Sequence, residues 1–84
     1  MSARYDIAAT VLDTAVRYYL PPSEIAELLN NIFNSLNYYS LEWDNCYPYT
    51  IEDVVVTAKI IVNDKYSSRD KKKAYSKWLE LHGE

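Results

Sequence analysis

Apolar residues recur at three- and four-residue steps in four stretches of the chain, and each stretch predicts a helix. Over 3–19, Tyr5, Ala8, Ala9, Leu12, Ala15, Val16 and Tyr19 form one stripe of helical period, with Ser2 as the candidate N-cap. Ile7 and Val11 widen that stripe on one side. Pro21-Pro22 stops the segment, since proline brings no N–H and restricts the residue before it. A second helix starts at Pro22 or Ser23 and is expected to end near Tyr39. Glu24 and Glu27 lie at its positive end, and Ile25, Leu28, Leu29, Ile32, Phe33 and Leu36 form its stripe. Asn30, Asn31, Asn34 and Asn37 crowd the other side; Asn is a poor helix former, so packing must hold this helix.

The third stretch, Ile51 to about Asp64, carries two patterns. Val54-Val-Val-Thr57 and Ile60-Ile-Val62 are β-branched and suit a strand. Against that, Thr50-Ile-Glu-Asp53 resembles a capping box, and Ile51, Val54, Val55, Ala58, Ile61 and Val62 make a helical stripe. A strand here needs a hairpin partner across Asp44-Asn45, and Pro48 interrupts its second arm. Helix is the preferred reading. The fourth stretch runs from Ser68 to His82, capped by Ser67 or Ser68. Ala74, Tyr75, Trp78, Leu79 and Leu81 lie on its apolar side, lysines wrap the rest, and Gly83 stands at its stop.

Gly83 is the only glycine, which disfavours an all-β chain built on tight turns. Short helices with one apolar face can bury those faces only against each other. The expected fold is therefore all-α: residues 1–84 as a single domain, a compact bundle of three to four short amphipathic antiparallel helices. The alternative is α+β with a small hairpin at 38–51.

Charge is unevenly spread. Residues 1–64 hold three bases and nine acids, residues 65–84 six bases and three acids, for a net −3. One Cys excludes an intramolecular disulfide and multi-cysteine zinc patterns. The N-terminal MSARYDIAA has an acid at Asp6 and no long apolar run, and no stretch approaches the ~20 apolar residues of a membrane span. A cytoplasmic protein without membrane contact is expected.

Candidate chemistry adds little. Cys46 and the lone His82 lack a reason to meet. The acid pairs Glu24/Glu27 and Glu52/Asp53 suit helix first turns, and Glu42/Asp44 lack the ligand alternation of a calcium loop. One glycine at position 83 leaves no phosphate-cradling loop. No enzyme activity, metal or cofactor is expected.

What remains is surface. Nine tyrosines exceed what so small an interior can hide, and Tyr18 and one of Tyr38/Tyr39 should face water. The connection SLEWDNCYPY gathers Trp43, Tyr47 and Tyr49 with Glu42 and Asp44. Tyr39, Glu42, Trp43, Asp44, Tyr47, Tyr49 and Asp53 are the candidate partner-binding residues, either as exposed anchors or as a lid on the core. The expected function is a small acidic protein-interaction module. It would bind and modulate or inhibit a larger protein with a basic surface, and it fits the type of a phage- or plasmid-encoded inhibitor of a host defence or nucleic-acid-handling protein. A homodimer is also open to it. The alternative is a nucleic-acid-binding regulator using Arg69, Lys71, Lys72, Lys73 and Lys77 on the last helix.

Overall fold

The computed structural model describes residues 3–35 and 48–82. Among these there are four α-helices and no strand: α1 (Ala3–Ala15), α2 (Pro22–Ser35), α3 (Ile51–Asn63) and α4 (Arg69–His82). The all-α bundle is thus the observed fold, and the preferred helix over 51–63 is observed. The alternative hairpin at 38–51 falls largely outside the described residues; of its second arm, Ile51 is helical. The radius of gyration, 12.7 Å, is close to the ~12 Å expected of a packed chain this long.

The described helix ends in the interior of the chain have chemical causes. Thr50 Oγ1 accepts from the Asp53 N–H at 3.0 Å, and the Thr50 N–H donates to Asp53 Oδ2 at 3.0 Å. This reciprocal box satisfies donors that a first turn leaves bare, and it turns a β-branched run into a helix. Between α3 and α4, Ser67 Oγ donates to Ile61 O at 2.8 Å and the Tyr66 N–H to Asp64 Oδ1 at 2.9 Å. Ser68 then caps α4, its Oγ accepting from the Lys71 N–H at 3.1 Å.

The α1 end departs from expectation. The α-helix stops at Ala15, not Tyr19, and a 3₁₀ turn (Val16–Tyr18) follows. Tyr19 is left-handed, φ 60° and ψ 31°. The physical reason is the double proline: the chain must reverse before it, and the last carbonyls still need donors. Tyr19 N–H supplies one to Val16 O (3.2 Å) and Leu20 N–H one to Ala15 O (3.1 Å). Pro22 then opens α2, where its missing N–H costs nothing.

α3 packs against the other three helices, and α4 also meets the 3₁₀ turn. The core takes Ala8, Leu12, Ala15 and Val16 from the first segment, Ile25, Ala26, Leu29 and Phe33 from α2, Val54, Ala58 and Ile61 from α3, and Tyr75 and Trp78 from α4. Trp78 Nε1 donates to Leu20 O at 2.7 Å, the His82 ring lies 5.5 Å from the Trp78 ring, and His82 Nε2 donates to Tyr19 O at 3.3 Å. These contacts tie the end of α4 to the corner between α1 and α2. Arg17 adds exposed ion pairs to Asp13 (3.4 Å) and Asp70 (3.3 Å), each worth about 0–1 kcal/mol.

Tyr75 is fully buried, and its hydroxyl has no hydrogen-bond partner among the described residues. Burial, and then the Asp13 carboxylate, push its ionisation above the ordinary tyrosine range. Because the folded state resists ionisation, the stabilisation is complete below about pH 10 and is lost as pH rises beyond it. Tyr75→Phe should therefore melt at the same or a higher temperature at neutral pH, by up to about 1 kcal/mol, since it removes an orphaned hydroxyl. It should also lose less stability in alkali than the parent. Thermal melts at neutral and alkaline pH check both.

Candidate functional site

Of the expected partner-binding set, Tyr49 and Asp53 are among the described residues. Tyr49 is 7% exposed and belongs to the core, as the lid alternative has it, and not to an exposed anchor surface. Its ring lies 5.9 Å from Phe33, and its hydroxyl bonds Thr57 Oγ1 at 2.7 Å. Thr57 spends its own proton on Asp53 O (2.8 Å), so Tyr49 is the donor. The Asn30 amide holds the Tyr49 backbone at both ends, donating to its carbonyl at 3.0 Å and accepting its N–H at 2.6 Å. Asn30 thus faces inward, whereas Asn31 and Asn34 are exposed. Asp53 is half-buried, with one carboxylate oxygen used in the capping box. Tyr39, Glu42, Trp43, Asp44 and Tyr47 lie outside the described residues.

The basic residues of α4 share one face only in part. Arg69, Lys73 and Lys77 follow each other at four-residue steps on the exposed side of α4. Lys71 falls instead on the stripe of Tyr75, Trp78 and His82, and is half-buried, as is Lys72. Lys73 and Lys77 share a shallow depression of about 440 Å³ with Arg17, Tyr19 and Asp70. Asp70 and Asp13 both pair with Arg17 there, so the local positive charge is partly answered from within.

The structure opens a different site. Several stripe residues are exposed, Leu28, Tyr19, Ile51 and Leu81 among them, because short helices cover each other only along part of their length. On the α1–α2 side this leaves a groove of about 720 Å³. Val11, Ala15, Leu20 and Leu28 supply its apolar lining, Thr10 and Thr14 sit along α1, and Tyr18 stands at one end, 76% exposed as expected. A shallower apolar depression, with Asp6, Ile7, Thr10 and Val11, continues it along α1. Thr10 Oγ1 is turned back onto Asp6 O at 2.9 Å, which leaves its methyl available to the surface.

Asp6 lines the depression that continues this groove, and two further acids lie close to Leu28 along α2. Asp6 lies one turn before Thr10, and Glu24 one turn before Leu28, with Glu27 beside it; all three acids are exposed. From Arg17 to Lys59 the chain carries no base, against six acids in between. Arg17 itself is engaged with Asp13 and Asp70 on the α4 side. An apolar floor with a tyrosine at its end and acids along its edges suits an apolar ligand with cationic flanks. It offers no set of converging polar groups for bond-making chemistry.

Sequence reasoning placed Leu28 in the core and so missed the groove. Val11 and Leu28 lie beside the centres of their stripes, but nothing in the sequence says that they border one groove with Tyr18. Among the described residues no group of three or more His, Cys, Asp or Glu could hold a metal ion, and no helix is long and apolar enough to cross a membrane. No protein-family model, no curated protein and no solved structure matches this chain.

Proposed function

We propose that this protein is a non-enzymatic interaction module that captures a larger protein by an amphipathic segment with basic flanks, seated in the α1–α2 groove. The observation that carries this reading is the acid-edged apolar groove with Tyr18 exposed at its end. An apolar patch of this kind is costly to leave bare in water, and a helix laid into it would bury its own apolar face. Tyrosine brings large area at low entropy cost, and its hydroxyl can stay wet. Asp6, Glu24 and Glu27 would speed encounter with a basic segment and repel nucleic acid. Occupying such a segment modulates or inhibits its owner. A small cytoplasmic inhibitor of a host nucleic-acid-handling or defence protein, of the kind phages and plasmids encode, is the form of this reading that size, acidity and tyrosine content favour.

Affinity capture from the source cells tests it, with the bait as wild type, as Tyr18→Ala with Leu28→Lys, and as Lys73→Glu with Lys77→Glu. The groove variant should weaken capture by at least about tenfold, since central aromatic and aliphatic anchors dominate such interfaces. The α4 variant should retain it. Capture that survives the groove variant but fails with the α4 variant, and falls steeply with salt, would favour nucleic acid and overturn the reading.

A further inference from the structure

The outer face of α3 is built from exposed apolar residues that the bundle does not use. Ile51 is 53% exposed, Val56 46% and Ile60 49%, with Glu52 and Lys59 exposed between them. Val55 is half-buried on the near side of the same face, and a concavity of about 490 Å³ runs along it between Glu52 and Lys59, with His82 at its edge. Three exposed β-branched residues on one helix are more than isolated surface apolars account for.

Their order has a property that singles out the occupant. Taken outward from the point midway between Val55 and Val56, the positions on this outer face run valine, then a charge, then isoleucine in both directions. The charges are opposite: Glu52 toward the start of α3 and Lys59 toward its end. Both fall near the centre line of this face, about 5 Å along the axis on either side of the midpoint, at 1.5 Å rise per residue. Ile51 and Val55 flank that line on one side, Val56 and Ile60 on the other.

We infer that α3 pairs with α3 of a second copy, antiparallel, about a two-fold axis through this midpoint. The axis sends each residue to the height of its complement, on the opposite flank of the seam. Glu52, near the centre line, meets the partner's Lys59, and Val55 lies beside the partner's Val56, each contact made twice, while Ile51 and Ile60 flank the seam. A surface for an unrelated protein would need no such complementarity with itself. One helix per side places the interface at the small end of the range, below about 1,200 Å², so the dimer forms and dissociates with concentration. This surface belongs to different helices from the α1–α2 groove and stands or falls independently of it.

Sedimentation velocity across a dilution series, with circular dichroism to confirm the fold, tests the pairing. Wild type should shift from monomer to dimer as concentration rises. Glu52→Lys alone sets lysine against lysine, and Lys59→Glu alone sets acid against acid; each should weaken self-association by about tenfold or more. An equimolar mixture of these two variants should recover a dimer, because their charges complement each other again. Ile60→Asp should be monomeric while remaining helical. A wild type that stays monomeric to about 1 mM, a scale set by the weakest specific association of interest, overturns the proposal. So do folded single charge variants that dimerise as well as wild type, or a mixture that fails to recover the dimer.

Discussion

Trp78→Ala is expected to leave the chain largely unfolded at room temperature. The side chain is fully buried, and its indole N–H is the donor for Leu20 O at 2.7 Å. Removing a core tryptophan costs about 3–5 kcal/mol through lost transfer energy and the cavity left behind. Stranding the carbonyl adds about 1–3 kcal/mol. A domain this size holds roughly 4–12 kcal/mol in all, at 0.05–0.15 kcal/mol per residue. The effect is large because Leu20 follows the left-handed Tyr19 and precedes the double proline, where no helix supplies a donor. Trp78→Phe keeps most of the packing and loses the bond, so it should fall between. Urea unfolding followed by far-ultraviolet circular dichroism checks the series, and a Trp78→Ala midpoint near wild type would contradict it.

Asn30→Ala should also be strongly destabilising although it removes no core apolar group, at about 2–4 kcal/mol. Its amide satisfies both the N–H and the carbonyl of Tyr49, at 2.6 and 3.0 Å. Alanine leaves two backbone groups without those partners beside the core, and each such loss costs about 1–3 kcal/mol. The chain after Pro48 would no longer be held against α2, and Tyr49 would lose its register on Phe33 and Thr57. Tyr49→Phe, by contrast, removes one neutral hydrogen bond and should cost about 1 kcal/mol, because Thr57 remains bonded to Asp53 O. The same unfolding experiment separates the two. A smaller loss for Asn30→Ala than for Tyr49→Phe would show that the hydroxyl, not the amide clamp, holds this segment.

Much of this architecture was legible in the chain before folding. The Thr50/Asp53 box outweighed the β-branched run of α3, because a cap satisfies specific donors while β-propensity mostly reports surroundings. Tyr18 stood out because successive tyrosines on a helix cannot both be hidden. Three features were not legible. A tyrosine in the left-handed region carries no local signature, since glycine or asparagine is the usual choice there. The inward turn of Asn30 depends on where the distant Tyr49 backbone arrives, which no helical period encodes. The groove depends on how the helices cross, for a stripe names the residues that seek cover without naming those that receive it. Leu28 and Ile51 sit on their stripes and remain exposed for that reason.

The central claim, that the α1–α2 groove seats a protein segment, is tested most directly by a photo-crosslinking side chain placed at position 18, with position 66 as the control. Both tyrosines are exposed, but Tyr66 lies in the turn between α3 and α4, away from the groove. Mass spectrometry of the crosslinked partner should place the position-18 adduct in one segment with an apolar face and Lys or Arg flanks, and position 66 should give no adduct there. Equal labelling of that segment from both positions, or a partner that remains bound while position 18 stays unreactive, would contradict the account.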